Sequence, residues 1–205
     1  MVAAILHGII LAFGLILPLG AQNVFVFNQG ASQPKFRNAI PVIITASVCD
    51  TLLIVMAVLG VSMLVLTVPV LQTVIFLIGL LFLLYIGWSI WNSDPVSMTQ
   101  KKEAMSIKKQ IIFAMSVSLL NPHAILDTIG VIGTSSLSYH GLEKTGFTVA
   151  CITVSWIWFL GLAIVGRIVG SLDSKGTFIK IINKVSAIII WIVAVYIASQ
   201  LLNIV

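Results

Sequence analysis

The chain has 205 residues, of which 60% are hydrophobic and only 8% are charged. Soluble domains carry about 25% charged residues, because a water-facing surface needs them. The composition therefore excludes a soluble globular domain, and it equally excludes a disordered or fibrous chain. The net charge of +5 and the pI of about 9.4 indicate basic loops beside a membrane rather than a nucleic-acid-binding surface.

Long stretches without Asp, Glu, Lys or Arg indicate membrane-spanning helices, each of which needs roughly 20 mostly apolar residues. Such stretches cover residues 1–34, 51–93, 145–166 and 185–205. We interpret the first as a retained helix, because it lacks the basic start of a cleaved signal peptide. An all-α integral membrane protein is predicted, with six transmembrane helices at residues 4–27, 40–65, 70–91, 111–135, 147–168 and 184–203.

The six predicted helices fall into two halves of three, residues 1–91 and 111–205, joined by a basic linker at residues 92–110. Three helices are an odd number, so repeated halves would lie in opposite orientations in the membrane. A shift of 104 residues places Pro18 on Pro122 and lays the first helix over the fourth. Such inverted repeats are a recurrent plan of transporters, and the sequence predicts two inverted three-helix repeats.

Ten of the eleven Lys and Arg residues lie on one predicted side of the membrane, in the loops after the first, third and fifth helices. Lys144 alone lies on the other side. Since basic residues gather in cytoplasmic loops, the linker is predicted to be cytoplasmic and both termini to lie on the non-cytoplasmic side.

The first polar interruption of an apolar helix lies late in the first predicted span, where Pro18 removes a backbone donor and predicts a helix break beside Gly20. Polar groups at such a depth need a reason, because hydrocarbon penalises them strongly. The freed carbonyl groups, together with Gln22 and Asn23, would form a polar pocket. The alternative is a simple kink that Gln22 and Asn23 repair.

A second helix break is predicted at Pro122, in the fourth span, with Asn121 and Thr128 as neighbouring polar side chains. His123 and Asp127 are four residues apart, so they share one face of an intact helix. In a low dielectric such a pair could exchange protons near neutral pH. The alternative is a hydrogen-bonded pair that only holds helices together.

Asp50 lies about ten residues inside the second predicted helix and has no basic neighbour there. No Lys or Arg is expected at the same depth in any helix, so the missing cation is predicted to be a substrate or a proton. The alternative is a neutral carboxyl group that forms a hydrogen bond with Asn23 or with a freed carbonyl.

Trp156 and Trp158 lie near the middle of the fifth predicted helix, whereas tryptophan usually prefers the membrane interface. Their rings could offer a face to a cation, although core packing is the commoner role. Gly166 and Gly170 have the spacing of close helix contacts, either within the chain or in a homodimer. The sequence therefore leaves a homodimer open.

The sequence contains no metal-ligand cluster of convincing spacing, no phosphate-binding loop and no nucleophile–base motif. Cys49 and Cys151 lie in apolar stretches and are predicted to be small buried side chains rather than a disulfide. No metal or cofactor is expected, and no soluble catalytic domain fits. A carrier driven by an ion gradient, rather than an enzyme, is therefore predicted.

Two sequence signatures resemble those of a known transporter family. Residues 20–26, GAQNVFV, and residues 121–128, NPHAILDT, are similar to the paired signatures of the LysE/ArgO family of basic amino-acid exporters. The length, the six apolar spans and the basic linker are similar as well. The related threonine and homoserine exporters typically have a Pro-Gly-Pro type first signature, whereas Gly20 is followed here by Ala21, which favours the lysine and arginine branch.

The resemblance implies export of L-lysine or L-arginine across a bacterial cytoplasmic membrane, driven by the membrane potential or the proton gradient. Asp50 and Asp127 lie where that family carries its intramembrane acids, and they would receive the cationic side chain or exchange it for protons, with His123 as a relay. The α-amino and α-carboxylate groups would bind freed backbone groups near Pro18 and Pro122, together with Gln22, Asn23 and Asn121.

Two other transport functions stay open on the sequence alone. One is export of neutral amino acids or of another small metabolite, with which excess lysine would not compete. The other is transport of an inorganic cation, since two carboxylates also suit a divalent ion, although such an ion needs more oxygen ligands. An intramembrane enzyme or a scaffold subunit is the remaining class, and no lipid-phosphate motif or nucleophile supports it.

Overall fold

Eight α-helices form the part of the chain that the computed structural model describes, residues 1–17, 20–60, 69–92, 105–173 and 176–204. These residues contain no strand, which confirms the predicted all-α class. A 3₁₀ turn covers Phe36–Ala39, and a π-helical turn (Thr128–Gly133) and a short helical turn (Thr134–Ser136) follow Asp127. The helices are α1 (Val2–Ile16), α2 (Ala21–Ser32), α3 (Ile40–Val58), α4 (Pro69–Trp91), α5 (Ile107–Leu119), α6 (Pro122–Asp127), α7 (Gly141–Leu172) and α8 (Thr177–Ile204).

Four helical stretches are individually long and apolar enough to cross a membrane, and they match the second, third, fifth and sixth predicted spans. These stretches are Phe36–Val58, Thr73–Trp91, Gly141–Leu172 and Thr177–Ser199. Helices α1 and α2 qualify only as a pair, and their axes meet at 81°. The described residues therefore provide four or five candidate spans, while the six-helix count and the side of the termini stay predictions.

The predicted fourth span, residues 111–135, is not one continuous α-helix. Helix α5 ends at Leu119 and α6 begins at Pro122, where the missing N–H of proline is tolerated because first-turn amides have no partner within the helix. The corresponding junction of the first half lies between α1 and α2, and its residues Pro18 and Leu19 lie outside the described residues. Such junctions are tolerated in a membrane where neighbouring groups satisfy the freed backbone.

The helices of the second half follow the order of those in the first. Shifted by the 104 residues that separate Pro18 from Pro122, α1 overlaps α5, α3 overlaps α7 and α4 overlaps α8. Helix α3 packs against α7, and α4 packs against α8. Helices α1 and α2 pack on α7, just as α5 and the π-helical turn pack on α3. Each of these contacts of the first half thus has a counterpart in the second.

The outer surface carries large apolar side chains that a water-facing protein would bury. Leu77, Leu81 and Leu84 of α4 are exposed, whereas Phe147 and Phe159 of α7 are completely buried. Apolar patches of this extent are unusual on soluble monomers and mark contact with another apolar phase. The exposed leucines therefore indicate a lipid-facing surface around a packed interior.

Small residues allow α2 and α7 to lie very close together. A Cβ atom added at Gly166 would overlap the backbone carbonyl of Phe27, and one at Gly170 would lie 2.6 Å from the carbonyl oxygen of Ala31. Gly30 of α2 faces the backbone of Ala163 in the same way. The Gly166–Gly170 spacing therefore forms a helix contact within the chain, and it no longer points to a homodimer.

Arg167 of α7 fixes the far end of α2. Its Nη1 donates to the carbonyl of Gln33 at 2.6 Å, and its Nη2 donates to the carbonyl of Pro34 at 3.1 Å. The last carbonyls of a helix have no partner within the helix, and a cation there also opposes the negative end of the helix dipole. Arg167 therefore anchors the C-terminal end of α2 to α7.

The close contact between α2 and α7 can be tested with two glycines of the same helix. We expect Gly166→Ala to lower the melting temperature of the detergent-solubilised protein by several degrees, because overpacking costs about 1–3 kcal/mol. Gly161→Ala is the matched control, since a Cβ at Gly161 meets nothing within 4 Å. Equal melting temperatures for the two variants would contradict the described packing.

Candidate functional site

A cavity of about 140 Å³ lies between the two helix junctions. One water molecule needs roughly 10–15 Å³ of such a cavity, so the cavity has room for a small organic molecule. Its walls are mostly aliphatic, as ligand sites usually are, with a few polar groups among them. The polar lining residues are Gln22, Asn23, Asp50, Asn121, Asp127, Thr128 and Ser155.

The cavity thus brings together six polar residues that the sequence singled out from three separate segments. Gln22 and Asn23 come from α2, Asp50 comes from α3, and the rest come from the α5–α6 junction and the turn after it. Ser155 is the addition that sequence reasoning missed. Asp50 and Asp127, the two acids predicted to lie within the membrane, both line this cavity.

The N-terminal end of α2 opens onto this cavity. Gly20 is the N-cap residue, with an extended backbone (φ −75°, ψ 172°) and no side-chain cap, and both Gly20 and Ala21 line the cavity. The first amides of a helix have no partner within their own helix, and the dipole gives this end a partial positive charge. The α2 start is therefore a region of positive potential in a wall that otherwise holds two acids.

Gln22 is buried at the cavity wall, with 8% of its surface exposed. Its Nε2 is completely buried and has no hydrogen-bond partner in the described part of the chain. A buried amide donor without a partner is unfavourable by about 1–3 kcal/mol, so a ligand that accepts a hydrogen bond from it gains affinity. Gln22 therefore supplies an unused donor beside the start of α2.

Asn23, the next residue, has a different environment. Its Nδ2 donates to the carbonyl of Ile16 at 2.7 Å, and its Oδ1 accepts from Nε1 of Trp158 at 3.3 Å. Ile16 ends α1, so its carbonyl is one of those that the helix leaves without a partner. Asn23 therefore links α1 to α2 and fastens this junction to α7.

Asp50 is held by the helix that packs across from it. The hydroxyl of Ser155 on α7 donates a hydrogen bond to Oδ2 of Asp50 on α3. Ser155 and Cys151 are four residues apart, and both line the cavity, so one face of α7 forms part of its wall. The spacing of four residues between Cys151 and Ser155 places both side chains on one helix face, and this pattern is visible in the sequence. The sequence alone does not identify Asp50 as the partner of Ser155.

Asp127, Asn121 and Thr128 form the wall contributed by the second half. Asp127 is the last residue of α6, and Thr128 begins the π-helical turn, a feature often found at functional sites. The side chains of Pro122 and His123 lie outside the described residues. The pairing of His123 with Asp127 therefore stays a prediction.

Trp156 and Trp158 do not line the cavity. The indole N–H of Trp156 donates to Oγ1 of Thr51 at 3.1 Å, and 39% of this residue is exposed on the outside of the bundle. Trp158 donates to Asn23, and its ring meets that of Phe13 edge-on at 6.4 Å. Both indoles thus link α7 to the first half, and the contacts described here do not include a cation.

Neighbouring residues of α2 provide a matched test of this arrangement. We expect Asn23→Ala to lower the melting temperature measurably, because losing the amide leaves the Ile16 carbonyl unsatisfied, at about 1 kcal/mol for a hydrogen bond within a membrane. Gln22→Ala should change the melting temperature much less, since its buried Nε2 bonds nothing in the described structure. The reverse order of stabilities would show that Asn23 does not hold the junction.

Comparison with known proteins finds one family. The family described as LysE type translocator matches residues 13–201, which include both signatures. The chain is 59% identical over 198 residues to the candidate amino-acid transporter YisU of Bacillus subtilis (strain 168), covering 97% of this chain and 90% of that protein. No solved structure matches the chain.

Two arginine exporter proteins named ArgO are more distant relatives. The chain is 30% identical over 210 residues to that of Yersinia enterocolitica serotype O:8, covering 99% of this chain and 100% of that protein. It is 30% identical over 198 residues to that of Escherichia coli O157:H7, covering 95% of this chain and 92% of that protein. The family resemblance stated from the two signatures is confirmed: the chain belongs to the LysE type translocator family, and it is a multi-pass transport protein of the bacterial cytoplasmic membrane rather than an enzyme.

Proposed function

We propose that the protein exports L-lysine, L-arginine or both from the cytoplasm, driven by the proton gradient or the membrane potential. The observation that carries the proposal is the cavity that contains Asp50 and Asp127 and no Lys or Arg among its described lining residues. Two acids that share one cavity in a low dielectric favour bound protons or a bound cation. The names of the ArgO relatives favour a basic amino acid as that cation.

The same two acids supply a route for coupling to protons. The charge of the two carboxylates is neutralised when both bind protons. It is also neutralised when a cationic substrate binds and fewer protons are bound. Binding of the substrate therefore releases a proton, and release of the substrate favours proton uptake. Exchange of substrate for protons across the membrane follows from this competition, because the charged empty cavity is the least favourable state.

Two inverted repeats, residues 1–91 and 111–205, provide the movement in this proposal. The counterpart contacts support it, since α3 packs on α7 and α4 on α8, as elements beside a two-fold axis in the membrane would. Rocking of one half against the other around a central site would open the cavity to either side in turn. The linker at 92–110 then lies in the cytoplasm, and both termini lie on the other side.

The proposal can be tested by counterflow in proteoliposomes that are preloaded with unlabelled L-lysine or L-arginine. We expect uptake of the labelled amino acid above that of protein-free liposomes, and faster uptake when the interior is acidic, because protons then leave as substrate enters. Asp50→Asn and Asp127→Asn should each reduce uptake at least tenfold, since the amide carries no charge for the cation. Melting temperatures should show that both variants remain folded.

Glu143→Gln is the control for loss of an acid. Glu143 is exposed and its Oε1 accepts a hydrogen bond from the N-terminal ammonium group at 2.6 Å, away from the cavity lining. This variant should transport normally. Full transport by both aspartate variants would refute the role of the acids, and movement of a neutral amino acid with no movement of lysine or arginine would change the proposed substrate.

A further inference from the structure

We infer that the buried amide of Gln22, together with the start of α2, recognises the α-carboxylate of the substrate and makes the protein select amino acids against the corresponding amines. The inference rests on the proposed function and deepens it, because it assigns one end of the substrate to a specific donor. It gives Gln22 a different role from its neighbour Asn23, whereas the sequence alone assigns both residues to the same polar pocket.

The first step is electrostatic. An amino acid brings a carboxylate into a cavity whose wall already holds Asp50 and Asp127. Like charges repel strongly in a low dielectric, so the substrate carboxylate needs a region of opposite potential. The described lining residues contain no Lys or Arg, and they do contain the N-terminal turn of α2 at Gly20 and Ala21. A helix start is a recognised anion site, used for substrate carboxylates by transporters with broken helices.

The second step is the hydrogen-bond inventory of the polar side chains at that end. The amide of Asn23 already donates to the carbonyl of Ile16 and accepts from Trp158. Gln22 lines the cavity, and its Nε2 is buried without a partner in the described structure, so a rotation of this side chain would present the donor to a substrate. A carboxylate is the acceptor that such a donor bonds most strongly, because the bond is assisted by charge.

The third step is the separation of the two ends of the site. Asp50 lies on α3 and is bound by Ser155 of α7, so it belongs to a different wall from the start of α2. Asp127 lies at the end of α6, on the side of the second half. A substrate with ammonium groups toward the acids and its carboxylate toward α2 satisfies both ends. A diamine would satisfy the acids and leave the Gln22 donor unpaired.

The test is competition against uptake of labelled L-lysine in the same counterflow assay. The competitors are unlabelled L-lysine and 1,5-diaminopentane, which is lysine without its carboxylate; L-arginine and its decarboxylated amine form a second pair. In the natural protein we expect the amino acid to compete at concentrations at least tenfold lower than the amine does. Gln22→Leu should reduce this ratio at least fivefold by weakening competition by lysine, with little change for the diamine.

Gln22→Glu sharpens the test, because it has nearly the same shape but places an acid where the carboxylate would bind. It should weaken binding of lysine further and strengthen binding of the diamine. Gln110→Leu is the matched control: Gln110 is a buried glutamine of α5 that does not line the cavity, and its Nε2 bonds the carbonyl of Met105 at 2.7 Å. This variant should keep the natural ratio of competition.

Equal competition by lysine and the diamine in the natural protein would overturn the inference while leaving lysine transport intact. An unchanged ratio in both Gln22 variants, in folded protein, would overturn it as well. Absence of lysine and arginine transport would instead refute the proposed function. The carboxylate inference would then be decided by comparing the neutral amino acid that moves with its own decarboxylated amine, using the same variants.

Discussion

The structure depends on satisfying backbone groups where helices are broken inside an apolar protein. Hydrocarbon offers no hydrogen bonds, so the carbonyl at the end of α1 needs a partner from the chain itself. Asn23 provides this partner by donating to the carbonyl of Ile16 across the junction. Trp158 of α7 donates to the same side-chain amide and so holds it in place. Because the junction is held in this way, the start of α2 can remain open toward a cavity rather than being buried against another helix.

Helix α7 carries several of the polar contacts that position the first half. It packs on α1, α2 and α3, and at each of them one of its side chains bonds a group of the first half. Glycines allow α2 to approach α7 closely along part of this contact. The α7 residues and their partners are Cys151 with Gly8, Ser155 with Asp50, Trp158 with Asn23, and Arg167 with Gln33.

The membrane class, four of the spans and most of the polar residues that line the cavity follow from local sequence, because apolar runs and isolated polar residues are visible without tertiary information. The different environments of Gln22 and Asn23 do not follow, since each depends on which carbonyl the broken helix presents. Ser155 was missed because its partner Asp50 lies 105 residues away in the chain. The π-helical turn after Asp127 likewise has no marker in the sequence, and it packs against α3, which is distant in the chain.

The arrangement of charge explains why the proposed transport would be an exchange rather than a leak. The start of α2 can balance the carboxylate of an amino acid, which leaves the ammonium groups to balance Asp50 and Asp127. In the proposed exchange, departure of the substrate would leave two acids of like charge in a low dielectric until protons replaced the cation. A cavity that is neither filled nor protonated would then have the highest energy, so the proposed movement of the halves would be easiest with substrate or protons bound. On this proposal the coupling would arise from the two carboxylates themselves.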